Sequence, residues 1–199
     1  LTFHEADLAG IAQLCRLVEG LPLAIELAAT WLRTLTPAEI AQEIKGSLDF
    51  LSASLRDLPE RHRSMRVVFD HSWQRLSARE QQVLAQASLF RGGFGRQAAE
   101  QVAGASLPVL STLANRTLLR RVEAGRYQLH SLIRQYCATR LAADPQAHAA
   151  AQRRHYDYFL GMAEAAEQGL KGCDQLEWLG RLEQERENLR AAWEWTLER

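Results

Sequence analysis

The sequence has 199 residues, which is more than one small domain needs and favours two or three small domains. Hydrophobic residues make up 47% of it and charged residues 24%, and this balance excludes a disordered or fibrous protein. The 24 lysines and arginines are matched by 24 aspartates and glutamates, so no overall charge attracts the chain to nucleic acid or to an anionic membrane.

The cysteines and the first residues of the chain exclude further classes of protein. Cys15, Cys137 and Cys173 lie far apart without a Cys-x-x-Cys pair, and the histidines show no metal-ligand spacing, so we expect no disulfide framework and no metal site. No apolar run reaches the ~20 residues that span a bilayer, and the residues that follow Leu1 do not have the pattern of a secretion signal. We therefore expect a cytoplasmic piece of a longer protein, with no membrane partner.

Residues 1–57 carry the pattern of a small helical bundle. Apolar residues follow helical spacing up to Gly20, which suits the end of a helix because it tolerates positive φ. Pro22 suits the first turn of a second helix, and Thr36-Pro37-Ala38-Glu39 is a capping box that predicts a third. The predicted apolar stripe of the second helix comprises Leu23, Leu27 and Trp31.

Residues 58–145 carry the pattern of a different module. After Leu58-Pro59-Glu60, helical spacing begins at Met65, and Ser77-Ala78-Arg79-Glu80 is a second capping box. Together with the apolar residues up to Ala114, these signals predict four helices.

A hairpin is predicted after these four helices. The runs 118–122 and 126–130 favour β-strands, Glu123-Ala124-Gly125 joins them, and helical spacing resumes up to Leu141. Helices followed by a hairpin and a further helix are typical of a winged helix-turn-helix, which we predict for residues 58–145.

Residues 146–199 are predicted to form helices alone. Beyond Asp144-Pro145, two long amphipathic helices are expected between about Gln152 and Arg199, the second running from Leu179 to Thr196. Such a pair is typical of a tetratricopeptide-like repeat, and one pair leaves an outer face uncovered, so we expect further repeats downstream. The predicted fold class is therefore mainly α.

The order of modules and two motifs resemble one known family. The motifs are EGLPLAIELAA, at 19–29, and LHSLIRQYCATRL, at 129–141. They resemble the Gly-x-Pro and Met-His-Asp motifs of the signal-transduction ATPases with numerous domains (STAND), which include apoptosome scaffolds, plant NB-ARC disease-resistance proteins and large bacterial regulators. The resemblance implies a helical domain, a winged helix and the start of a repeat region, without the P-loop core.

The resemblance also implies a nucleotide site. In that family the motif proline packs on the adenine of ADP, and the motif histidine contacts its β-phosphate; by motif these are Pro22, flanked by Leu21 and Leu23, and His130. A proline ring offers an apolar face, and a histidine at a helix N-terminus adds a donor where anions are favoured. Ser131 stands where better-known members have aspartate, and serine is also a residue that is able to cap a following helix.

Catalytic motifs are missing from the sequence. No Gly-x-x-x-x-Gly-Lys-[Ser/Thr] occurs, no acidic strand end offers a magnesium ligand, and no Gly-x-Ser-x-Gly elbow occurs. We therefore expect no catalytic residues and no enzymatic activity in this chain, and an ATPase in the intact protein. ADP or ATP is expected as cofactor of the intact protein, and none is expected to bind this chain alone.

Three functions are compatible with these patterns. The first is a switch module that clamps ADP at rest and transmits an ATP-driven change, with an upstream P-loop domain, downstream repeats and a homo-oligomer as partners. The second is a DNA-binding winged-helix regulator, although the recognition-helix candidate, Leu107 to Arg116, has one basic residue and DNA is not an expected partner. For this second function, the sequence also offers a cluster of arginines near the hairpin, at Arg116, Arg120, Arg121 and Arg126. The third function is a protein-interaction scaffold.

Overall fold

The structure is a computed structural model and describes residues 5–51 and 64–197. Within these ranges the protein is mainly α-helical with a small two-stranded antiparallel hairpin. The first helices are α1 (Glu5–Leu17), α2 (Pro22–Ala29), α3 (Pro37–Gly46) and α4 (Met65–Gln74). They are followed by α5 (Ala78–Ala87), α6 (Arg96–Ala103), α7 (Leu107–Asn115), β1 (Arg120–Arg121), β2 (Tyr127–Gln128), α8 (Ser131–Ala142), α9 (Pro145–Gly169), α10 (Gln175–Gln184) and α11 (Arg186–Leu197).

The described residues form two compact units. The first consists of those up to Ser77 together with Ser131–Tyr136, and the second of Ala78–His130 with the residues from Cys137 onward. Helix α8 is therefore divided, its first half belonging to the first unit and its second half to the other. The three predicted domains, 1–57, 58–145 and 146–199, stay a prediction. The predicted break at Leu58-Pro59-Glu60 lies outside the described residues.

The first unit begins with the three predicted helices. The capping box is confirmed: the Thr36 hydroxyl accepts the Glu39 N–H at 3.3 Å, and the Glu39 carboxylate accepts the Thr36 N–H at 2.8 Å. Helix α1 packs closely on α3 at Gly10, where an added Cβ would lie 3.0 Å from the Pro37 Cβ. The core of this unit includes the fully buried residues Val18, Leu27, Ile40, Ile44, Leu51 and Met65.

Trp31 departs from the prediction. Helix α2 ends at Ala29, so Trp31 lies in a short 3-10 turn, Thr30–Arg33, instead of extending the apolar stripe of α2. The indole N–H of Trp31 donates to the Phe50 carbonyl at 3.1 Å, and the two rings stack at a centroid distance of 4.7 Å. A half-buried tryptophan needs a partner for its N–H, and this contact provides one.

The second unit begins with a winged helix. Helices α5, α6 and α7 precede the hairpin, in which Arg120 pairs with Gln128 and Arg121 with Tyr127. Phe94 forms an isolated antiparallel bridge with Tyr127 of β2. The N–H of each residue donates to the carbonyl of the other at 2.9 Å. The hairpin prediction is confirmed with shorter strands. The buried core of this module includes Val83, Leu84, Phe90, Phe94, Val102, Leu110 and Leu113.

Helices α9, α10 and α11 follow, where two helices were predicted. Helix α9 begins at Pro145 and not near Gln152, because the Asp144 carboxylate caps it by accepting the Gln146 and Ala147 N–H groups at 3.1 and 3.0 Å. The predicted second helix is divided at Glu185, whose buried side chain is held by contacts to other residues, described below. No helix in the described ranges combines the length and apolar character needed to cross a membrane.

Candidate functional site

The Gly20-Leu21-Pro22-Leu23 segment forms the turn between α1 and α2. Gly20 has a φ of +73°, and its N–H donates to the Cys15 carbonyl at 3.1 Å, which ends α1 in the way that the sequence predicts. Glu19, just before it, also has a positive φ, of +48°. Two successive left-handed residues therefore turn the chain sharply into α2.

Pro22 is one of the exposed residues of this turn. Leu21 is the N-cap of α2 in an extended conformation, and Pro22 occupies the first helical position. A backbone N–H at that position has no acceptor within the helix, so proline, which lacks this N–H, loses no hydrogen bond there. Pro22 is exposed, whereas Leu21 and Leu23 are half-buried. The turn thus presents a rigid apolar ring to solvent, with the two leucines partly packed beneath the surface of the first unit.

His130 lies at the junction between the hairpin and α8. It is half-buried and stands between the buried Leu129 and Ser131, the first residue of α8. His130 belongs to the second unit, and Leu21, Pro22 and Leu23 belong to the first. The four residues that the resemblance implies for nucleotide binding are therefore divided between two compact units.

Ser131 connects the start of α8 to the end of α1 within the first unit. Its backbone N–H donates to Glu19 Oε1 at 2.8 Å, and its hydroxyl donates to the Leu17 carbonyl at 2.7 Å. The hydroxyl of Ser131 thus bonds to α1, and the carboxylate of Glu19 accepts the first N–H of α8. The residue after His130 is thus fixed to the turn that carries Pro22.

Further along α8, two side chains hold the helix to the first unit. Gln135 Nε2 donates to the carbonyls of Ile44 and Lys45, both at 3.3 Å, at the end of α3. The hydroxyl of the buried Tyr136 donates to Asp70 Oδ1 at 2.6 Å. The Tyr136 ring also lies against two aromatic rings of α4, those of Phe69 and Trp73, at centroid distances of 5.6 and 5.8 Å.

A buried polar cluster in the second unit was not predicted. Asn188 of α11 accepts the Arg91 N–H at 2.6 Å and donates to the Gly93 carbonyl at 2.8 Å and to Glu185 Oε2 at 2.6 Å. Glu185 also forms a buried ion pair with Arg126 of the hairpin. In the sequence this segment is an acidic and polar run, Glu183 to Glu187, a pattern typical of a solvated helix face.

His155 of α9 lies beside this cluster. It is 5% exposed, its ring is 4.7 Å from that of Phe159 and 5.5 Å from that of Phe90, and its Nε2 has no hydrogen-bond partner among the described residues. Burial lowers the pKa of His155 to about 4, and the neighbouring Asn188 offsets only part of this effect. His155 is therefore a neutral residue of the core at ordinary pH.

The remaining candidates for chemistry are clusters of metal-ligating side chains and the buried Cys137. In residues 5–51 and 64–197, no group of three or more His, Cys, Asp or Glu side chains is placed to hold a metal ion. Burial raises the pKa of the Cys137 thiol well above its ordinary value, which keeps the thiol protonated and unreactive.

The fold and this junction define a mainly α-helical chain with a winged helix, in which the first residue of the following helix is hydrogen-bonded to Leu17 and Glu19, just before the Gly-Leu-Pro-Leu turn. The chain matches no family model. It is 32% identical, over 99% of its length, to proteins of Mycobacterium bovis and Mycobacterium tuberculosis that are provisionally named HTH-type transcriptional regulators. The chain spans only 23% of the length of these relatives.

Two further similarities complete the comparison. An uncharacterised protein of Mycobacterium tuberculosis is 27% identical over 73% of this chain, which corresponds to 40% of that protein. A solved structure of a STAND protein with a tetratricopeptide repeat sensor from Pyrococcus horikoshii is 19% identical, with a TM-score of 0.43. That similarity covers 80% of this chain and 26% of the other.

Proposed function

We propose that the chain is the regulatory switch module of a STAND ATPase. In the resting state it closes over ADP bound to a P-loop domain of the same protein, and it opens when ATP replaces ADP. Opening transmits the change to downstream helical repeats and exposes a surface for homo-oligomerisation. ADP or ATP is the cofactor of that longer protein, and this chain supplies no catalytic residue.

The observation that carries the proposal is the pair of hydrogen bonds made by Ser131. They link the residue after His130 to Leu17 and Glu19, directly before the turn that carries Pro22. A switch that senses one ligand needs its contacts to respond together, and this link couples the start of α8 to the turn. The coupling runs through specific atoms, so single substitutions can interrupt it.

The residues of the turn suit a nucleotide base. Pro22 is exposed at the start of α2, and its ring offers a flat apolar surface on which an adenine could stack. The two leucines beside it are half-buried. His130 would add a hydrogen-bond donor toward a phosphate, next to the N-terminus of α8, where the helix dipole favours anions.

The relatives support a role as part of a larger protein. Because the chain aligns with less than a quarter of the Mycobacterium regulators, the activity of those proteins need not lie in the corresponding segment. The proposal assigns this segment the control of another domain. Upstream P-loop residues and downstream repeats are its expected partners within one chain.

The test uses the longer gene product that includes the P-loop region expected upstream of Leu1. We would load it with a fluorescent ADP analogue and measure the dissociation rate for the parent protein, Pro22→Ala and His130→Ala. Each substitution is expected to speed release about tenfold, the effect of losing one charge-assisted or stacking contact of ~1.4 kcal/mol. His71→Ala, at an exposed position on α4, is the matched control. Unchanged release from both site variants would refute the proposal.

A DNA-binding regulator is the alternative, and the name of the Mycobacterium relatives favours it. The structural features of the winged helix do not favour DNA binding. Helix α7 contains no basic residue, and its exposed side chains include Leu107 and Pro108. Arg126 of the hairpin is engaged in a buried ion pair with Glu185, which withdraws one of the clustered arginines from solvent.

A gel-shift assay at low salt separates the two functions. Phosphate contacts would make duplex binding strongly dependent on salt, and replacing the exposed Arg120 and Arg121 of β1 by glutamate would abolish it. The absence of any complex at low salt would exclude the alternative. A salt-sensitive complex that this double variant loses would favour it over the switch module.

A further inference from the structure

Helices α10 and α11 use one of their faces to pack within the second unit. On that face Trp178 is half-buried, and its ring lies against Gly169 of α9, where it leaves no room for a Cβ. Further along the same face, Asn188 and Ala192 of α11 are buried. No residue of α10 is buried, although this helix carries three leucines and a tryptophan. Apolar side chains therefore remain on an exposed side of α10.

The exposed side of these two helices follows a regular spacing. Its members are three or four residues apart, which is the spacing of one face of a helix. The spacing continues through the break at Glu185, because the Glu185 N–H donates to the Arg181 carbonyl at 3.1 Å and the Leu189 N–H donates to the Glu185 carbonyl at 2.8 Å. All members are exposed, and together they form the outer stripe: Leu176, Leu179, Glu183, Arg186, Arg190, Trp193 and Leu197.

The outer stripe has apolar ends and a charged centre. Leu176 is 85% exposed at one end, and Trp193 and Leu197 are 67% and 72% exposed at the other. Covering side chains of this size is favourable, because it removes apolar surface from water. Between the two ends lie the exposed side chains of Glu183 and Arg190. The stripe therefore fits a partner with apolar groups at both ends and opposite charges in the middle.

A second copy of this chain has these properties when its stripe runs in the opposite direction. Antiparallel pairing places the leucines of α10 against Trp193 and Leu197 of the second copy. It also places Glu183 of each copy against Arg190 of the other. A parallel, in-register pairing would instead place each charge against its own equivalent, which is unfavourable. The stripe is thus complementary to itself about a two-fold axis close to Arg186, as an isologous interface requires.

The charges at the centre already take part in exposed ion pairs within one chain. Arg186 pairs with Glu183 at 3.0 Å and with Glu187 at 3.3 Å. Arg190 pairs with Glu194 at 2.8 Å. Exposed pairs of this kind contribute little to stability, so they rearrange at little cost when a second copy approaches. The two glutamates beside Arg186 balance its charge where it meets its own equivalent at the axis.

We propose that the outer stripe is the contact surface for a second copy of this chain in an antiparallel pair. The repeats expected downstream would be the other occupant. Stacked repeats bury a continuous apolar core between neighbours, whereas three successive members at the middle of this stripe are charged. The pairing goes beyond the proposed function, since it depends on α10 and α11 alone and needs neither a nucleotide nor the opening of a switch.

Sedimentation equilibrium of the chain without nucleotide measures this pairing. We expect a mass that rises with concentration and approaches twice 22.5 kDa at about 0.5 mM, as suits a micromolar Kd. Trp193→Glu places a charge at an apolar end of the stripe and should raise the Kd at least about tenfold. Leu160→Glu, at an exposed leucine of α9 outside the stripe, is the matched control and should leave the Kd unchanged. Circular dichroism verifies that each variant is folded.

Charge reversal tests the antiparallel direction. Glu183→Arg and Arg190→Glu each place like charges opposite each other in such a pair, so each should weaken it. The double variant Glu183→Arg, Arg190→Glu restores opposite charges, and its Kd should return to within about threefold of the parent. In a parallel pair the double variant would keep like charges together. A Kd no lower than that of the single variants would therefore overturn the arrangement.

Three further results would overturn the proposal. One is a monomer at every concentration up to about 0.5 mM. Another is a dimer that Trp193→Glu and Glu183→Arg leave unchanged, which would place the contact on a different surface. The third concerns the longer gene product: if a downstream repeat covers the stripe, that product is a monomer and Trp193→Glu lowers its melting temperature. ADP release from the Pro22 and His130 variants decides the proposed function separately, because those residues lie outside the stripe.

Discussion

The Asn188 carboxamide oxygen accepts the backbone N–H of Arg91 at 2.6 Å, although 97 residues separate the two. The amide nitrogen of the same side chain donates to the Gly93 carbonyl and to Glu185. One fully buried side chain therefore satisfies backbone groups of the loop between α5 and α6 from a position on α11. A buried network of polar groups contributes most to the stability of the fold when every group in it has a hydrogen-bond partner.

Removing Asn188 should be strongly destabilising. Asn188→Ala leaves the Arg91 N–H and the Gly93 carbonyl without their partner, and we expect the free energy of unfolding to fall by about 2 to 4 kcal/mol. Urea unfolding followed by circular dichroism measures the change. Asn115→Ala, at an exposed position at the end of α7, should shift it by less than about 0.5 kcal/mol. Equal effects of the two substitutions would contradict the role of the cluster.

The stability of the chain should depend on pH through His155. Its pKa is lowered from 6.5 to about 4 in the folded protein, so between these values the unfolded chain binds a proton that the folded chain does not. The free energy of unfolding therefore falls as the pH falls from 6.5 to 4, and the loss from this group approaches about 3 kcal/mol below pH 4. Above pH 6.5 the residue is neutral in both states and contributes no such dependence.

Replacing His155 by phenylalanine tests this assignment. The new ring would lie between Phe90 and Phe159 and would remove a buried nitrogen that has no partner among the described residues. We expect a stability gain of about 1 kcal/mol at pH 7 and a flatter profile between pH 6.5 and 4. Thermal unfolding at a series of pH values measures both. A profile as steep as that of the parent would assign the dependence to other groups.

The ion pair between Arg126 and Glu185 should be costly to break from one side. Its side chains are 16% and 7% exposed, so Arg126→Ala leaves a buried carboxylate and should cost about 3 to 5 kcal/mol. The double variant Arg126→Met, Glu185→Leu should lose less, because no charge remains buried. Arg181→Ala breaks an exposed pair with Glu177 and should cost at most about 1 kcal/mol. Chemical denaturation of the four proteins provides the comparison.

The three cysteines should react with thiol reagents in a fixed order. Cys173 is exposed, Cys15 is half-buried, and Cys137 is buried with a pKa raised by desolvation. With an aromatic disulfide reagent at pH 8 we expect Cys173 to react first, Cys15 more slowly, and Cys137 only after unfolding. Mass spectrometry of the labelled peptides identifies each site. Rapid labelling of Cys137 in the native chain would show that the core around α8 opens readily.

Local signals made much of the fold predictable. The capping box at Thr36 and Glu39, the proline at the start of α2 and the left-handed Gly20 depend on neighbouring residues, and all three are present as predicted. The hairpin was predictable for the same reason, since its turn residues separate two runs of β-prone side chains.

Contacts between distant residues were not predictable. Ser131 lies 112 positions from Glu19, and no local pattern specifies that pairing. The break between α10 and α11 at Glu185 has the same origin, because a glutamate within a helical run gives no sign that it will be buried against Arg126. In both cases a tertiary partner determines what the residue does.

The division of α8 between the two units has a consequence for synthesis of the chain. The first unit needs Tyr136 against α4, yet Tyr136 leaves the ribosome 66 residues after its hydrogen-bond partner Asp70. The aromatic rings of α4 therefore lack their packing partner Tyr136 while the winged helix is being synthesised. During that interval the nascent chain exposes an apolar surface, and the first unit is complete only after the Ala78–His130 part of the second has been synthesised.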